Sequence, residues 1–191
     1  VIARNLANVN STGYKGDRLA FKELMTPFPP DNESGLTKEL LLQNNKTNSN
    51  DLPSSVLFIC NFNTIRSPIA EAIAKYHCNN KIYIDSAGVA EKIGKVNPFA
   101  VSIMEEVGID IARHKTKKLE GLINTSFELI IALSSEAYRE VQELAKGNSV
   151  MIEYWQIKDP TEISGNRETI MSAFRDLREE LYENIKLRLS N

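Results

Sequence analysis

Beyond residue 53 the chain alternates short apolar runs with amphipathic stretches. Val56–Ile59 is an unbroken apolar run of strand length. The stretch Pro68–Cys78 changes to helical spacing, with Ile69, Ile73 and Tyr76 on one face. Ser67 is predicted to cap this helix, and Pro68 suits its first turn. Lys81–Asp85 predicts a second strand, with Ile82 and Ile84 on one side. Asn97-Pro98 opens a second helix that carries Val101, Met104 and Val107 and stops at Gly108. Phe127–Leu133 predicts a strongly apolar strand, and Ser135–Lys146 a helix ended by Gly147. Val150–Trp155 predicts a fourth strand. From about Asn166 a long helix runs to the end, with Phe174, Leu177, Leu181 and Ile185 as its stripe.

Strands alternating with helices argue for an α/β fold: an open four-stranded parallel sheet with helices on both faces. Crossovers are right-handed, so few topologies remain. Sites in such folds lie beyond the strand C-termini, at a switch in strand order. Cys60 is predicted at such an end. The first fifty residues differ in composition. Residues 1–26 hold a short helical pattern and the turn STGYKG; residues 27–53 are rich in Pro, Asn, Ser and Asp and read as a linker, with Leu36–Leu42 long enough for one or two helical turns. Residues 54–191 form the predicted domain.

Composition narrows the function classes. The 191 residues carry a formal net charge of −2, which offers no broad electrostatic attraction for nucleic acid or an anionic membrane. Two cysteines, Cys60 and Cys78, are too few for a disulfide framework, and a reducing cytoplasm is expected. No apolar run approaches the ~20 residues of a membrane helix, and no signal-peptide pattern is present. Two Cys and two His show no metal-ligand spacing, so no metal is expected, and chemistry carried by a cysteine nucleophile needs no organic cofactor. A start at Val1 rather than Met is expected of a truncated or processed N-terminus.

The chemistry concentrates in VLFICNFNTIRSP, residues 56–68. A strand–loop–helix presents backbone N–H groups and a helix dipole that favour an oxyanion. Arg66 adds a planar fork of donors matched to phosphate oxygens. The same environment lowers a thiol's pKa, so Cys60 is expected to be a thiolate facing a bound oxyanion, with Ser67 as its hydrogen-bond donor. The plainer alternative makes Cys60 a core thiol and Arg66 a solvated helix residue.

CNFNTIRSPIAEA resembles the phosphate loop of the low-molecular-weight protein-tyrosine phosphatases, whose fold thioredoxin-coupled arsenate reductases share. The resemblance spans about residues 54–189. DSAG (85–88) resembles the family's post-strand segment. VNPFAVSIMEEVGIDIARHKTKKL (96–119) is similar to the arsenate-reductase branch. EYWQIKDP (153–160) resembles the loop that carries a general acid as Asp-Pro. The resemblance implies that Cys60 attacks phosphorus in line. Arg66 and the amides of residues 61–66 (Asn61, Phe62, Asn63, Thr64, Ile65 and Arg66) hold the equatorial oxygens. Asp159 protonates the leaving oxygen and then activates water. Asn63, Ser67, Ser86 and His114 match positions that brace the loop. Asp159-Pro160 read alone is equally a turn, Ser86 a strand-end cap and His114 a solvated loop residue. His77 is expected to be exposed and Cys78 buried.

Three departures from the family pattern bear on substrate. Phe62 stands where the phosphatases usually have Gly. Thr161 follows Asp159-Pro160 where many carry an aromatic residue, leaving Phe62 or Trp155 to supply apolar contact. The two relay cysteines of thioredoxin-coupled reductases are replaced by Ser134 and Val141, and Ile65 replaces a second loop cysteine. An intramolecular cysteine relay is therefore not expected.

VIARNLANVNSTGYKGDRLAFKELM, residues 1–25, resembles the N-terminal signature of flagellar basal-body rod proteins. No C-terminal partner helix of the rod kind follows, so rod contact is not expected. Four readings result: a phosphatase acting on a phosphorylated protein or small aryl phosphate; an arsenate reductase using arsenate and an external thiol; a flagellar structural or assembly protein; and an inactive oxyanion-binding module, should Phe62 block the pocket.

Overall fold

The computed structural model describes residues 52–79, 81–92, 94–122, 125–146 and 149–190. The rod-like segment 1–25 and nearly all of the linker lie outside the described residues. Four strands form one sheet: β1 (Ser55–Cys60), β2 (Tyr83–Gly88), β3 (Leu129–Ala132) and β4 (Met151–Tyr154). Their order is β2-β1-β3-β4 and every pairing is parallel. The chain steps from β1 to β2 on one side, then crosses to β3 on the other. The switch in strand order therefore falls at the C-terminal end of β1, where Cys60 pairs with Gly88.

Strand β1 is buried along its whole length because both of its faces are covered. Val56, Phe58 and Cys60 face a core built with α1 (Arg66–His77), α2 (Pro98–Glu105) and α4 (Arg167–Leu189). Leu57 and Ile59 face a smaller core with α3 (Ser135–Leu144) and the 3-10 turn Leu119–Leu122. The predicted stripe of α4 is this packing surface: Phe174, Leu177, Leu181 and Ile185 are all buried. Each such side chain stabilises the fold by about 1.5–3 kcal/mol relative to exposure.

Side-chain caps fix three helix starts. Asn97 accepts from Phe99 N–H at 2.8 Å, Ser134 from Ala137 N–H at 3.2 Å, and Asn166 from Thr169 N–H at 2.9 Å. Helix α1 differs from the expectation. It starts at Arg66, Ile65 occupies the cap position, and no side chain caps it. The Ser67 hydroxyl is inside the helix and is used elsewhere. Strand β2 also begins and ends later than predicted, so DSAG is the end of the strand rather than the segment after it. Gly108, at φ +77°, closes the turn after α2. The predicted stop of α3 at Gly147 lies outside the described residues. No helix among the described residues is long and apolar enough to cross a membrane.

Candidate active site

Between Cys60 and Arg66 the backbone must turn from strand to helix in five residues. Asn63 sets the turn. It is fully buried and holds φ +53°, a conformation Asn tolerates better than most residues. Its Nδ2 donates to Ser67 Oγ (2.9 Å) and Ser86 Oγ (2.8 Å). Its Oδ1 accepts the Lys117 N–H (2.8 Å) and faces His114 Nε2 at 3.3 Å. The amide thus uses both donors and both acceptor sites. Because Oδ1 is an acceptor here, its contact with His114 is a hydrogen bond only when the imidazole carries a proton on Nε2. The loop also lies hard against β2: a Cβ added at Gly88 would come within 2.8 Å of the Phe62 carbonyl carbon and 2.9 Å of Asn63 N. Only glycine permits that approach.

Behind the loop runs a chain of polar contacts. Cys60 Sγ lies 3.0 Å from Ser67 Oγ, which is also 3.3 Å from the Ala87 carbonyl oxygen. Ser67 Oγ already receives the Asn63 amide, so its one hydrogen goes to the sulfur or to Ala87. Ser86 Oγ donates to Glu71 Oε2 at 2.5 Å, and Lys75 Nζ donates to Glu71 Oε1 at 2.5 Å. His114 Nδ1 stands 3.6 Å from Glu71 Oε2. Burial pushes the His114 imidazole below its ordinary value, against the opposing pull of the Glu71 carboxylate.

On the other side of Cys60, Arg66 is buried and fully engaged at Nη1, which donates to the carbonyl oxygens of Leu133 and Ile157, both at 3.1 Å. Its Nη2 donates to Asp159 Oδ2 at 3.0 Å. Asp159 Oδ1 accepts both the backbone N–H (3.0 Å) and the hydroxyl (2.6 Å) of Thr161, capping the 3-10 turn Pro160–Glu162. These contacts fix the carboxylate toward a cavity of about 180 Å³. Cys60, Arg66 and Asp159 line it together with Thr64 and Ile65. Phe62, Thr161 and Asn97 complete the wall. A cavity holding a thiol, a guanidinium and a carboxylate can bind a tetrahedral oxyanion, present a nucleophile and move a proton.

The sequence model of the low molecular weight phosphotyrosine protein phosphatase family matches residues 55–189, from β1 to the end of α4. The chain belongs to this family. The arsenate reductase of Bacillus licheniformis is 33% identical over 132 residues, 69% of this chain and 92% of that one. The low molecular weight protein tyrosine phosphatase of T. tengcongensis superimposes with a TM-score of 0.58 at 26% identity, covering 69% of this chain and 95% of its own. An arsenate reductase in its phosphate-binding state gives 0.59 at 28% identity, covering 72% and 99%. This low molecular weight phosphatase family is therefore an enzyme family that includes both phosphatases and arsenate reductases.

Sequence reasoning named most of the cavity wall of this family member but misplaced Trp155 and His77. The Asn61 side chain is tied elsewhere: its Oδ1 accepts the Ser134 hydroxyl and its Nδ2 lies 3.4 Å from Glu136. The Asn63 side chain reaches back from the loop to Ser67, Ser86 and His114. Trp155 is not at the mouth: partly buried, it packs edge-on against core Phe58 at 6.0 Å, with Nε1 bonded to Glu153. His77 is not exposed. It is half-buried, 2.9 Å from Ser190 Oγ and edge-on to Tyr182, because α4 ends beside it. Cys78 is buried, and burial pushes its thiol up. Val141 is buried in the α3 core. Sequence reasoning gives Glu71 no role, and takes Asn97 only as a helix start and Gly88 only as the last residue of DSAG. Glu71 sits four residues before Lys75, a spacing that reads as a surface ion pair. Among the described residues no cluster of three or more His, Cys, Asp or Glu is placed to hold a metal.

Proposed function

We propose that this chain is a cysteine-dependent phosphatase of aryl phosphate monoesters. One observation carries the reading: Cys60 and Asp159 line the same small cavity, with Ser67 Oγ 3.0 Å behind the sulfur. In the first step the Cys60 sulfur attacks phosphorus, forming the S–P bond as the P–O bond to the organic group breaks. Asp159 gives its proton to the departing oxygen, a role typically worth ~10²–10⁴-fold. Water then attacks phosphorus, Asp159 takes its proton, and the S–P bond breaks to release phosphate. Loop amides 61–66 and Arg66 hold the non-bridging oxygens in both steps. Asn63, Ser86 and His114 position the loop. The substrate is a phosphorylated protein or a small aryl phosphate. Two free cysteines suit a reducing compartment such as the cytoplasm.

A second reading rests on the 33% identity to an arsenate reductase. Cys60 sulfur displaces an arsenate oxygen as water. An external thiol then attacks Cys60, leaving arsenite and a mixed disulfide, which a second external thiol reduces. With Ser134 and Val141 at the relay positions, the electrons come from outside the chain.

Parallel assays of aryl-phosphate hydrolysis and arsenate-dependent thiol oxidation separate the two. The phosphatase reading expects hydrolysis that disappears in Cys60→Ser. A Cys60→Ser protein that still hydrolyses the ester sinks it. Arsenate-dependent thiol oxidation without ester hydrolysis transfers the site to the second reading.

A further inference from the structure

We infer that Phe62 is the specificity-determining wall of the cavity, and that it selects phosphate esters whose organic group offers a flat apolar face. The inference deepens the phosphatase reading and rests on it for the position of the ester. A single exposed phenylalanine on a protein surface ordinarily needs no explanation. Phe62 differs in three ways.

It is 50% exposed, yet it lines the cavity that holds Cys60 and Asp159, and it is the one aromatic residue among the described residues lining it. Its backbone is also pinned. The Phe62 carbonyl carbon is pressed against Gly88, the Asn61 carbonyl accepts the Ala90 N–H at 2.8 Å, and buried Asn63 follows with its four polar contacts. A ring on a fixed root has only two side-chain torsions left to order, so its contact with a ligand costs little entropy. Third, neighbouring positions do not compete for the role. The Asn61 side chain is turned to Ser134 and Glu136. Across the mouth, Thr161 spends its hydroxyl on Asp159 and contributes only a small side chain. Trp155 packs against the core, with its ring on Phe58.

The mouth therefore has one aromatic wall and one small wall. A phosphate seated against the loop projects its organic group past Phe62. An aryl group gains an offset or edge contact there; a short alkyl group covers far less of the ring. Aromatic pairs of this kind give about a fivefold preference.

Calorimetric titration of the full chain with phenylphosphonate, methylphosphonate and inorganic phosphate tests this without relying on turnover. Wild type should bind phenylphosphonate about fivefold more tightly than methylphosphonate. Phe62→Ala should erase that preference, read as the ratio of the two phosphonate affinities within each protein; Phe62→Tyr should keep the preference and Phe62→Leu should lose most of it. A preference unchanged in both Phe62→Ala and Phe62→Leu overturns the inference. So does a loss of phosphate affinity in both, which makes Phe62 a loop support. Equal binding of the two phosphonates by wild type overturns it as well. Cys60-dependent hydrolysis with a Phe62-independent preference leaves the phosphatase reading standing alone. A Phe62-dependent preference without hydrolysis does the reverse.

Discussion

Arg66 and Asp159, ninety-three residues apart in sequence, meet through a 3.0 Å contact between Nη2 and Oδ2 at the floor of the cavity. The pair is partly buried, with the arginine side chain 8% and the carboxylate 22% exposed. Arg66 is also tied to the carbonyls of Leu133 and Ile157, so it cannot swing away cheaply. An oxyanion entering the cavity meets a guanidinium that already serves a carboxylate. In the proposed reaction, Asp159→Asn should slow ester cleavage by about 10²–10³-fold. Oxyanion affinity should stay level or rise, because the competing charge is gone. Steady-state rates and phosphate inhibition constants check both halves; a parallel fall in rate and affinity would show that Asp159 supports the loop rather than supplying a proton.

Asn63→Ala should be among the most damaging single changes in the domain. It removes four polar contacts, leaves buried partners at Ser67 and Ser86 under-satisfied, and places at φ +53° an Ala, which tolerates that conformation less well than Asn. The expected loss is about 2–4 kcal/mol in denaturant unfolding. A loss under about 1 kcal/mol would mean that the loop finds another conformation of similar energy.

Gly88→Ala tests the contact between strand β2 and the loop. The added methyl meets backbone atoms of Asn61, Phe62 and Asn63 at 2.8–2.9 Å, and backbone cannot yield as a flexible side chain does. The loop must shift, so oxyanion binding should weaken at least about tenfold even if the fold survives, a cost in the range of overpacking. Phosphate titration followed by intrinsic fluorescence reads the effect; wild-type affinity would refute the contact.

Ser134→Ala cuts two ties at once, the cap of α3 and the link to Asn61. The cap alone is worth about 1 kcal/mol. The stability loss should match that figure, and the released Asn61 should alter oxyanion affinity only mildly. Thermal unfolding and phosphate binding measured on one preparation separate the two effects. An unchanged melting temperature would show that the cap contributes nothing.

His77 gives an acid-sensitivity prediction. Burial, then the nearby Lys186 charge, hold its pKa below the ordinary imidazole value. The unfolded chain therefore binds a proton more readily than the folded one. The stability it contributes is present above the unfolded value of about 6.5 and is lost as pH falls through the depressed folded value. Urea midpoints should drop between about pH 7.5 and 5.5. The drop should be smaller in His77→Gln, and an identical drop in both proteins would place the sensitivity elsewhere.

The parts of this molecule that were legible in sequence are those governed by local rules. The alternation of apolar runs with helical stripes gives the parallel sheet and the faces of α4, because period and burial follow from backbone geometry. The strand–loop–helix from Cys60 to Arg66 is legible because its residues carry their chemistry within a short motif, whereas Asp159-Pro160 read alone is equally a turn. The misplaced residues share one feature: their surroundings come from distant chain. Ser67 reads as both a cap and a partner of Cys60; it makes the second contact and not the first, because Asn63 also claims its hydroxyl. Glu71 reads as a surface acid, but Ser86 from β2 and His114 from the loop after α2 bury it. His77 reads as exposed until α4 ends beside it.

The sequence by itself determined which side chains are available and which secondary structure delivers them. Only the tertiary structure decided what each polar group touches. Parallel strands bring segments dozens of residues apart to one edge of the sheet, and a buried hydrogen bond depends on that final geometry rather than on neighbours along the chain. Phe62 joins the two levels. Sequence makes it an unusual residue in a phosphate loop; the backbone of Gly88 and the contacts of Asn63 hold it at the mouth of the cavity.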